Sequence, residues 1–216
     1  WMTVTGPRLI QAGRSVFLLG INYWPLTAAG QMPGKANPYW LDPGGYDPAL
    51  AEQDLERLQE AGINAVAIQY FAERQAPQLR GFVETARRHG IRVLVYLGYL
   101  QPFAPDLAKA RRLFDAADLR NQPGVFALDL AWEPRFGRAE ERRRFDPAWR
   151  DWLVEQYGSF EHAERVIGRP LWRRGGRITG PPDAELAADG EHRAAVEVYR
   201  RFADDFLSRR YGWIVR

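Results

Sequence analysis

The sequence predicts an α/β fold with a parallel sheet, and two observations lead to this prediction. Four short apolar runs alternate, in strict order, with four segments whose apolar residues recur at helical spacing. The first two helical segments end at glycines, Gly62 and Gly90, directly before the next apolar run. Because strands separated by a helix pair in parallel with right-handed crossovers, this alternation indicates one parallel sheet with helices packed against it.

The first strand–helix unit combines a buried strand with a capped helix. Residues 16–23 form a compact apolar run between turn residues, which is typical of a buried strand. A loop rich in Gly, Pro and Asn follows from about residue 26 to residue 45. Asp47 followed by Pro48 is typical of a helix start, so we predict a helix from there to Gly62.

The remaining units repeat this pattern, and the fourth contains an insertion. The predicted strands are residues 63–70, 91–97 and 125–132, and the helices between them are 75–89 and 106–118. The insertion spans approximately residues 135–190 and precedes a long helix at about 191–210. Inside it, we predict a helix from Asp146 to Gly158 with an aromatic face, a short helix at 160–167 and an ordered Arg/Gly/Pro-rich loop at 168–182.

Composition excludes several classes of function. The chain has 216 residues, of which 46% are hydrophobic and 13% aromatic, so it can bury a core and is not disordered. It has no cysteine, which excludes disulfides, thiol catalysis and cysteine-ligated metals. The excess of 30 basic over 27 acidic residues is too small and scattered to indicate nucleic-acid binding. No apolar run approaches the roughly 18 residues of a membrane span, so we expect no membrane-spanning segment and no signal peptide within this sequence.

The partners and the compartment follow from these exclusions. We expect no nucleic-acid or membrane partner and no cofactor. The three histidines have no metal-ligand spacing, so we expect no metal site either. The compartment stays open, because proteins inside and outside the cell can lack cysteine.

The ends of the predicted strands carry aromatic and polar side chains. In parallel α/β folds, ligands bind at the carboxyl ends of the strands. The candidate site residues there are Asn22, Tyr23, Trp24, Gln69, Tyr70, Tyr99, Trp132 and Glu133. Aromatic faces stack on sugar rings, whereas amides and carboxylates bind hydroxyl groups. The pattern therefore predicts a carbohydrate site, and the alternative is that these aromatics fill the top layer of the core.

Four sequence segments resemble one enzyme group. Residues 17–25, FLLGINYWP, resemble the first strand of glycoside hydrolase clan A, the retaining glycosidase barrels that include cellulase-like family 5 and β-galactosidase-like families 42 and 2. Residues 54–67, DLERLQEAGINAVA, are similar to the passage from its first helix to its second strand. Residues 127–134, ALDLAWEP, resemble its fourth strand, and residues 149–158, WRDWLVEQYG, resemble a Trp-x-x-Trp-Leu-x-x-x-Tyr-Gly segment common in these barrels.

This resemblance implies a fold. It implies a (β/α)8 barrel, of which the chain supplies about the first four strand–helix units with the insertion after strand 4, in a single domain over residues 1–216. A complete barrel needs about 250 residues, so we expect either a fragment or a half barrel that associates with the remaining half or with a second copy.

The resemblance also implies an activity, retaining hydrolysis of β-linked sugars in an oligosaccharide or glycoside substrate. Glu133 would be the general acid/base, and the nucleophilic glutamate is expected beyond residue 216. A pocket walled by Trp132, Tyr70 and Tyr99 would raise the pKa of Glu133 by desolvation. The alternative for Glu133 is a structural ion pair with an arginine such as Arg135.

Two features of the fourth strand bear on this activity. The clan usually has Asn before the acid/base, where it contacts the sugar 2-hydroxyl, whereas this chain has Trp132. That difference motivates the alternative of a non-catalytic carbohydrate-binding barrel. Asp129 precedes Glu133 by four positions, so it faces the same way but lies about 13 Å lower in the barrel, and we interpret it as a core or supporting carboxylate.

Two arginine clusters lie in the insertion, at residues 142–144 and 173–174. They could contact an anionic glycan, but we favour a solvated charged face.

Overall fold

The computed structural model describes residues 2–28, 38–97, 100–101, 103–131, 136–188 and 190–214. The strands are β1 (Met2–Thr5), β2 (Arg8–Gln11), β3 (Arg14–Val16), β4 (Gly20–Asn22), β5 (Ala65–Gln69), β6 (Arg92–Tyr96), β7 (Leu100–Gln101), β8 (Ala104–Pro105), β9 (Val125–Asp129), β10 (Arg173–Arg174) and β11 (Arg177–Ile178). The α-helices are α1 (Pro48–Glu60), α2 (Ala76–Arg88), α3 (Leu107–Ala116), α4 (Ala139–Arg142), α5 (Asp146–Tyr157), α6 (Phe160–Ile167), α7 (Asp183–Ala187) and α8 (Arg193–Ile214).

The chain divides into two compact bodies. The first, called here the sheet body, comprises Trp1–Gln101 and Pro105–Pro134, and the second, the helical body, comprises Pro102–Ala104 and Arg135–Arg216. The helical body begins where the insertion was predicted to begin. Whether the two bodies function as one barrel domain stays a prediction.

Four parallel strands form the centre of the sheet body. Their order is β4-β5-β6-β9, so each strand pairs with the next one of the parallel set along the chain. All three pairings are parallel, and α1, α2 and α3 lie in the connections between them. Sequential parallel strands with helical crossovers are the arrangement of the first four units of a (β/α)8 barrel. The predicted fold class is therefore confirmed.

The helix boundaries follow from local capping. The Asp47 carboxylate accepts hydrogen bonds from the backbone N–H groups of Ala49 (2.9 Å) and Leu50 (3.1 Å), as predicted for an N-cap. Gly62 has φ of 80°, a conformation that favours glycine, and it ends the first helix. Helices α5 and α6 also have nearly the bounds that the sequence predicts.

One face of the parallel sheet is covered by helices. Ile68 of β5 and Val95 of β6 are fully buried in the same core cluster as Leu55 of α1 and Phe82 of α2. Burying one such side chain contributes about 1.5–3 kcal/mol, so this layer contributes much of the stability of the sheet body. Alternate residues of β5 and β6 must then point to the opposite face.

Asn64 joins the first parallel strand to the second. Its amide group donates to the carbonyl of Phe17 at 2.8 Å and accepts from the N–H of Leu19 at 2.8 Å. The side chain thus satisfies the backbone of the segment that leads into β4. This contact explains structurally why asparagine precedes the small residues of β5.

The prediction of one strand over residues 16–23 is wrong at its start. The chain instead forms a three-stranded antiparallel sheet, β1-β2-β3, whose turns contain Gly6 (φ 56°) and Gly13 (φ 75°). The parallel strand begins only at Gly20, which lies against Ala65 of β5. The apolar run hid this division because Phe17 is apolar yet 81% exposed.

The helical body has its own aromatic core. Trp149 and Trp152 of α5 pack against Tyr199 and Phe202 of α8, and all four side chains are buried. The predicted aromatic face of the insertion helix is therefore confirmed. The loop predicted at residues 168–182 contains a short hairpin, β10–β11, which the sequence analysis missed. None of the helices within the described residues combines the length and the apolar character needed to cross a bilayer.

Candidate functional site

Three of the predicted site residues, Tyr99, Trp132 and Glu133, lie outside the described residues. The last residue of β9 is Asp129, so Glu133 follows the carboxyl end of the fourth parallel strand by four positions.

Three side chains lie in register at the carboxyl ends of the parallel strands. Gln69 is the last residue of β5 and pairs with Tyr96 of β6, which in turn pairs with Asp129 of β9. Residues paired in register project to the same face of a sheet. Since the neighbouring Ile68 and Val95 point to the helices, this strand-end row (Gln69, Tyr96 and Asp129) lies on the opposite face.

Asp129 shapes the turn that leaves the fourth strand. Its Oδ1 accepts a hydrogen bond from the N–H of Ala131 at 3.1 Å. A carboxylate that accepts from the backbone two residues later forms a local turn. The interpretation of Asp129 as a core or supporting carboxylate stays a prediction.

An aromatic row extends from the first strand to the third. The ring centroids of Trp24 and Tyr39 are 5.6 Å apart, those of Tyr39 and Phe71 are 5.7 Å apart, and those of Phe71 and Tyr96 are 6.0 Å apart. All three contacts are edge-to-face. Tyr39 is buried, with its hydroxyl 3.5 Å from Oε1 of Gln69, whereas Trp24, Phe71 and Tyr96 are half-buried.

The two rows bring together side-chain types that suit a sugar. Half-buried rings offer apolar faces, while the amide of Gln69 and the carboxylate of Asp129 can bind hydroxyl groups. Asn22, the exposed last residue of β4, pairs in register with Ala67, two residues before Gln69, and so belongs to the same face. The structure thus places Asn22, Trp24 and Gln69 at one edge of the sheet.

Tyr23 and Tyr70 lie in the core instead. The Tyr23 hydroxyl donates to Oδ2 of Asp54 on α1 at 3.0 Å, and its ring packs on Trp40 and Phe82. Burial and then the Asp54 carboxylate raise the pKa of Tyr23. Tyr70 is fully buried, and burial raises its pKa to about 12. Their burial corresponds to the alternative in which strand-end aromatics fill the core.

Sequence reasoning gave no role to Tyr39 and Tyr96. Tyr96 belongs to a predicted strand, and the alternation of faces relative to Gln69 would have indicated it. Tyr39 lies in the long loop after the first strand, and no local pattern shows that this loop returns to the strand ends.

A buried carboxylate holds the loop and the aromatic row together. Asp42 accepts hydrogen bonds from the Tyr39 N–H (3.1 Å), from Arg74 (2.9 Å) and from Nε2 of Gln75 (2.7 Å). Oε1 of Gln75 in turn accepts from the Phe71 N–H at 2.9 Å. The backbones of Tyr39 and Phe71 are therefore joined through Asp42 and Gln75. Burial raises the pKa of Asp42, but these hydrogen bonds outweigh burial and the pKa is lower than usual.

Replacing Asp42 with asparagine is expected to destabilise the folded state by about 2–3 kcal/mol at pH 7, because one amide oxygen cannot serve three donors. The pKa of Asp42 is lower in the folded state than in the unfolded state, where it is about 3.9. The ionised carboxylate therefore stabilises the fold fully above the unfolded-state pKa, and this stabilisation is lost as the pH falls through the lower folded-state pKa. Urea unfolding of the unchanged protein and of the Asp42→Asn variant at several pH values measures the difference in their free energies of unfolding. Asp115→Asn, at an exposed helix position, is the control. If the free-energy difference for Asp42→Asn stays constant down to the lowest pH, the ionised carboxylate of Asp42 is not what stabilises the fold.

Comparison with known proteins finds no family model and no curated protein that matches this sequence. Three similar solved structures are an endo-1,4-β-mannanase from Rhizomucor miehei, a GH5_18 protein from Bifidobacterium longum subsp. longum ATCC 55813 in complex with Manβ1-4GlcNAc, and a β-mannanase from the blue mussel Mytilus edulis. Their sequence identities to this chain are 13%, 18% and 16%, and their TM-scores are 0.47, 0.40 and 0.42.

The similarity to these structures is partial. It covers 88%, 65% and 79% of this chain, and the chain spans 69%, 40% and 61% of the length of theirs. The matched proteins are of the glycoside hydrolase class that the sequence resembles. Because TM-scores below 0.5 describe only partial superposition, the proposed function depends instead on the residues of this chain.

Proposed function

We propose that the protein is a retaining hydrolase of β-linked sugars, with Glu133 as its general acid/base. The observation that carries the proposal is the strand-end row of Gln69, Tyr96 and Asp129 beside the aromatic row, at the edge of a parallel sheet where ligands bind. Glu133 follows this edge in the sequence, after the turn made by Asp129 and Ala131.

The proposed chemistry needs two carboxyl groups. Glu133 protonates the glycosidic oxygen as the bond to the anomeric carbon breaks, and a second carboxylate about 5 Å away attacks that carbon. Glu133 then removes a proton from the water that hydrolyses the glycosyl-enzyme. We propose, from the clan A resemblance, that the second carboxylate is a glutamate beyond residue 216.

The substrate is proposed to be an oligosaccharide or glycoside that lies along the aromatic row. Trp24 and Phe71 present half-buried rings on which the apolar faces of sugars can stack. Asn22 and Gln69 are positioned for hydroxyl groups, and Tyr99 and Trp132 are proposed as further contacts.

We also propose that the parallel sheet is completed by another part of a barrel. Among the described residues, β4 is an edge strand of the four-stranded sheet. Phe17, Leu19 and Ile21, in and before this strand, are 81%, 48% and 39% exposed. Large apolar side chains along a sheet edge favour further pairing, either with the remaining half of a barrel or with a second copy.

A second candidate function is carbohydrate binding without catalysis, which Trp132 favours because it replaces the usual Asn. The strand-end row and the aromatic row suit carbohydrate binding equally well, because stacking and the binding of hydroxyl groups need no acid. The two candidates differ in turnover, not in ligand class.

The stereochemistry of the products tests the proposal. The natural polypeptide that contains this sequence is incubated with β-1,4-linked oligosaccharides, and the anomers released are followed by proton NMR. We expect the β-anomer to appear first, because two displacements retain configuration. Release of the α-anomer first would contradict a retaining mechanism, and binding without hydrolysis would favour the second candidate.

A further inference from the structure

A pocket of about 270 Å³ lies within the helical body. It is formed by α4, the start of α5, strand β10 with the residue before it, and the segment 179–182. Its lining includes four arginines, one tryptophan and one carboxylate, namely Arg142, Arg143, Arg173, Arg174, Trp172 and Asp146. Such a volume is near the lower end of the range for small-molecule sites, about 300–1,000 Å³, and suits a single ring.

The floor of this pocket contains a buried guanidinium. Arg142 is only 2% exposed, so the solvated face predicted for residues 142–144 is wrong for this residue. Its NH2 group donates to the carbonyl of Pro181 and pairs with Asp183, each at 2.8 Å, and its NH1 group donates to the carbonyl of Gly137. The buried Nε has no hydrogen-bond partner in the described part of the chain.

Four of the five charged side chains in the described lining are arginines, and three of these already pair with carboxylates. The carboxylates that pair with Arg142, Arg143 and Arg173 belong to residues outside the lining, which are Asp183, Glu140 and Glu164. The one carboxylate in the described lining, Asp146, already accepts a hydrogen bond from the Gly180 N–H at 2.9 Å.

Arg174 adds a charge with no side-chain partner among the described residues. It lies directly opposite Arg177 in the hairpin. Like charges in this position destabilise a strand pair, so the hairpin carries a cost that a bound anion would reduce.

Trp172 supplies an apolar wall. Its indole is half-buried, with its ring centroid 5.5 Å from that of His192 in an edge-to-face contact. Arginine binds carboxylate or sulfate groups through paired N–H donors, and an indole face stacks on the apolar face of a sugar ring. The pocket therefore combines donors for an oxyanion with a surface for the ring that carries it.

We propose that this pocket binds an acidic sugar residue, with its carboxylate or sulfate group at Arg174 and the neighbouring arginines and its ring on Trp172. The pocket belongs to the helical body and the strand-end rows to the sheet body, and the proposal does not depend on the role of Glu133. It would hold an acidic residue of a saccharide independently of the proposed hydrolysis.

Binding is tested with three probes and the intact chain. D-glucuronate, D-glucose and sodium sulfate are titrated separately while the backbone amide signals of residues 172–180 are followed by NMR. We expect glucuronate to bind, glucose to leave the signals unchanged, and sulfate to bind more weakly because it has no ring for Trp172. Added sodium chloride should weaken the binding of glucuronate, since the arginines near the surface are screened by salt.

Variants assign the binding to this pocket. Arg174→Gln is expected to weaken glucuronate binding about tenfold, which corresponds to one charge-assisted contact. Arg165→Gln removes an exposed arginine of α6 in the same body and should change nothing. Trp172→Leu should weaken glucuronate binding and spare sulfate, whereas Trp172→Phe retains an aromatic wall and should bind both.

Three results would overturn the proposal. The first is the absence of glucuronate binding to the folded protein. The second is an equal loss in Arg174→Gln and Arg165→Gln, which would indicate attraction to overall charge. The third is sulfate binding as tight as glucuronate binding, which would show that the sugar ring and Trp172 add nothing to the affinity. Because Arg174 is exposed, unchanged thermal unfolding of its variant verifies that the loss does not come from misfolding.

Discussion

Replacement of Glu133 with glutamine is expected to slow the hydrolysis of unactivated β-glycosides by about 10²–10⁴-fold, the usual contribution of general acid–base catalysis. Glutamine preserves the size of the side chain but cannot donate the proton that the leaving oxygen needs. Aryl glycosides with acidic phenol leaving groups need that proton much less, so their first step should be slowed far less. The values of kcat/KM for both substrate classes report this first step and measure the difference.

A matched variant makes the Glu133 result specific. Glu56→Gln changes the same charge at an exposed position of α1 and should leave both rates unchanged. Unchanged hydrolysis of unactivated substrates by the Glu133→Gln protein would exclude the acid/base assignment. Equal losses of kcat/KM on both substrate classes would also count against it, because they would indicate damage to binding or folding rather than loss of the proton donor.

Replacement of Trp149 with alanine is expected to destabilise the helical body by about 3–5 kcal/mol. The Trp149 side chain is fully buried, and its ring centroid is 5.3 Å from those of Tyr199 and Phe202 and 5.6 Å from that of Trp152. Alanine would leave a cavity between α5 and α8 that these rings cannot fill. Urea unfolding, together with hydrogen exchange of the α8 amides, measures the loss.

Two further variants separate volume from hydrogen bonding at this position. The indole Nε1 of Trp149 has no hydrogen-bond partner in the described part of the chain, so Trp149→Phe loses volume only and should cost much less than alanine. Val154→Ala removes a half-exposed side chain from the same helix and should have little effect. An equally small effect of Trp149→Ala would show that this core does not hold the two helices together.

The boundaries of the elements were predictable because their signals are local. Asp47, Pro48 and Gly62 specify the ends of α1 through cap hydrogen bonds and a left-handed backbone, and both depend on residues within one turn. The parallel order of the strands followed from the alternation, since short connections leave few other topologies. The antiparallel sheet at the start was missed because its strands are short and mostly exposed, so they carry no burial pattern.

The composition of the site was less predictable. Parallel strands are buried on both faces, so their apolar runs do not show which alternate residues face the helices. For this reason the sequence does not distinguish Tyr23 and Tyr70, which are buried in the core, from the site residue Gln69. It also does not indicate that Tyr96 pairs with Gln69 on the same face. The position of Tyr39 depends on the hydrogen bond between the nearby Asp42 and Gln75, which lies 33 positions further along the chain.

The chain's own pattern of caps, glycines and apolar runs thus specifies an alternating parallel fold and locates the carboxyl ends of its strands, because each of these signals acts over a few residues. Long-range packing specifies the rest. It selects which face of each strand meets the helices, it returns the long loop to the strand ends, and it buries Arg142 within a charged cluster. These outcomes depend on contacts between residues far apart in sequence, and no local pattern encodes them.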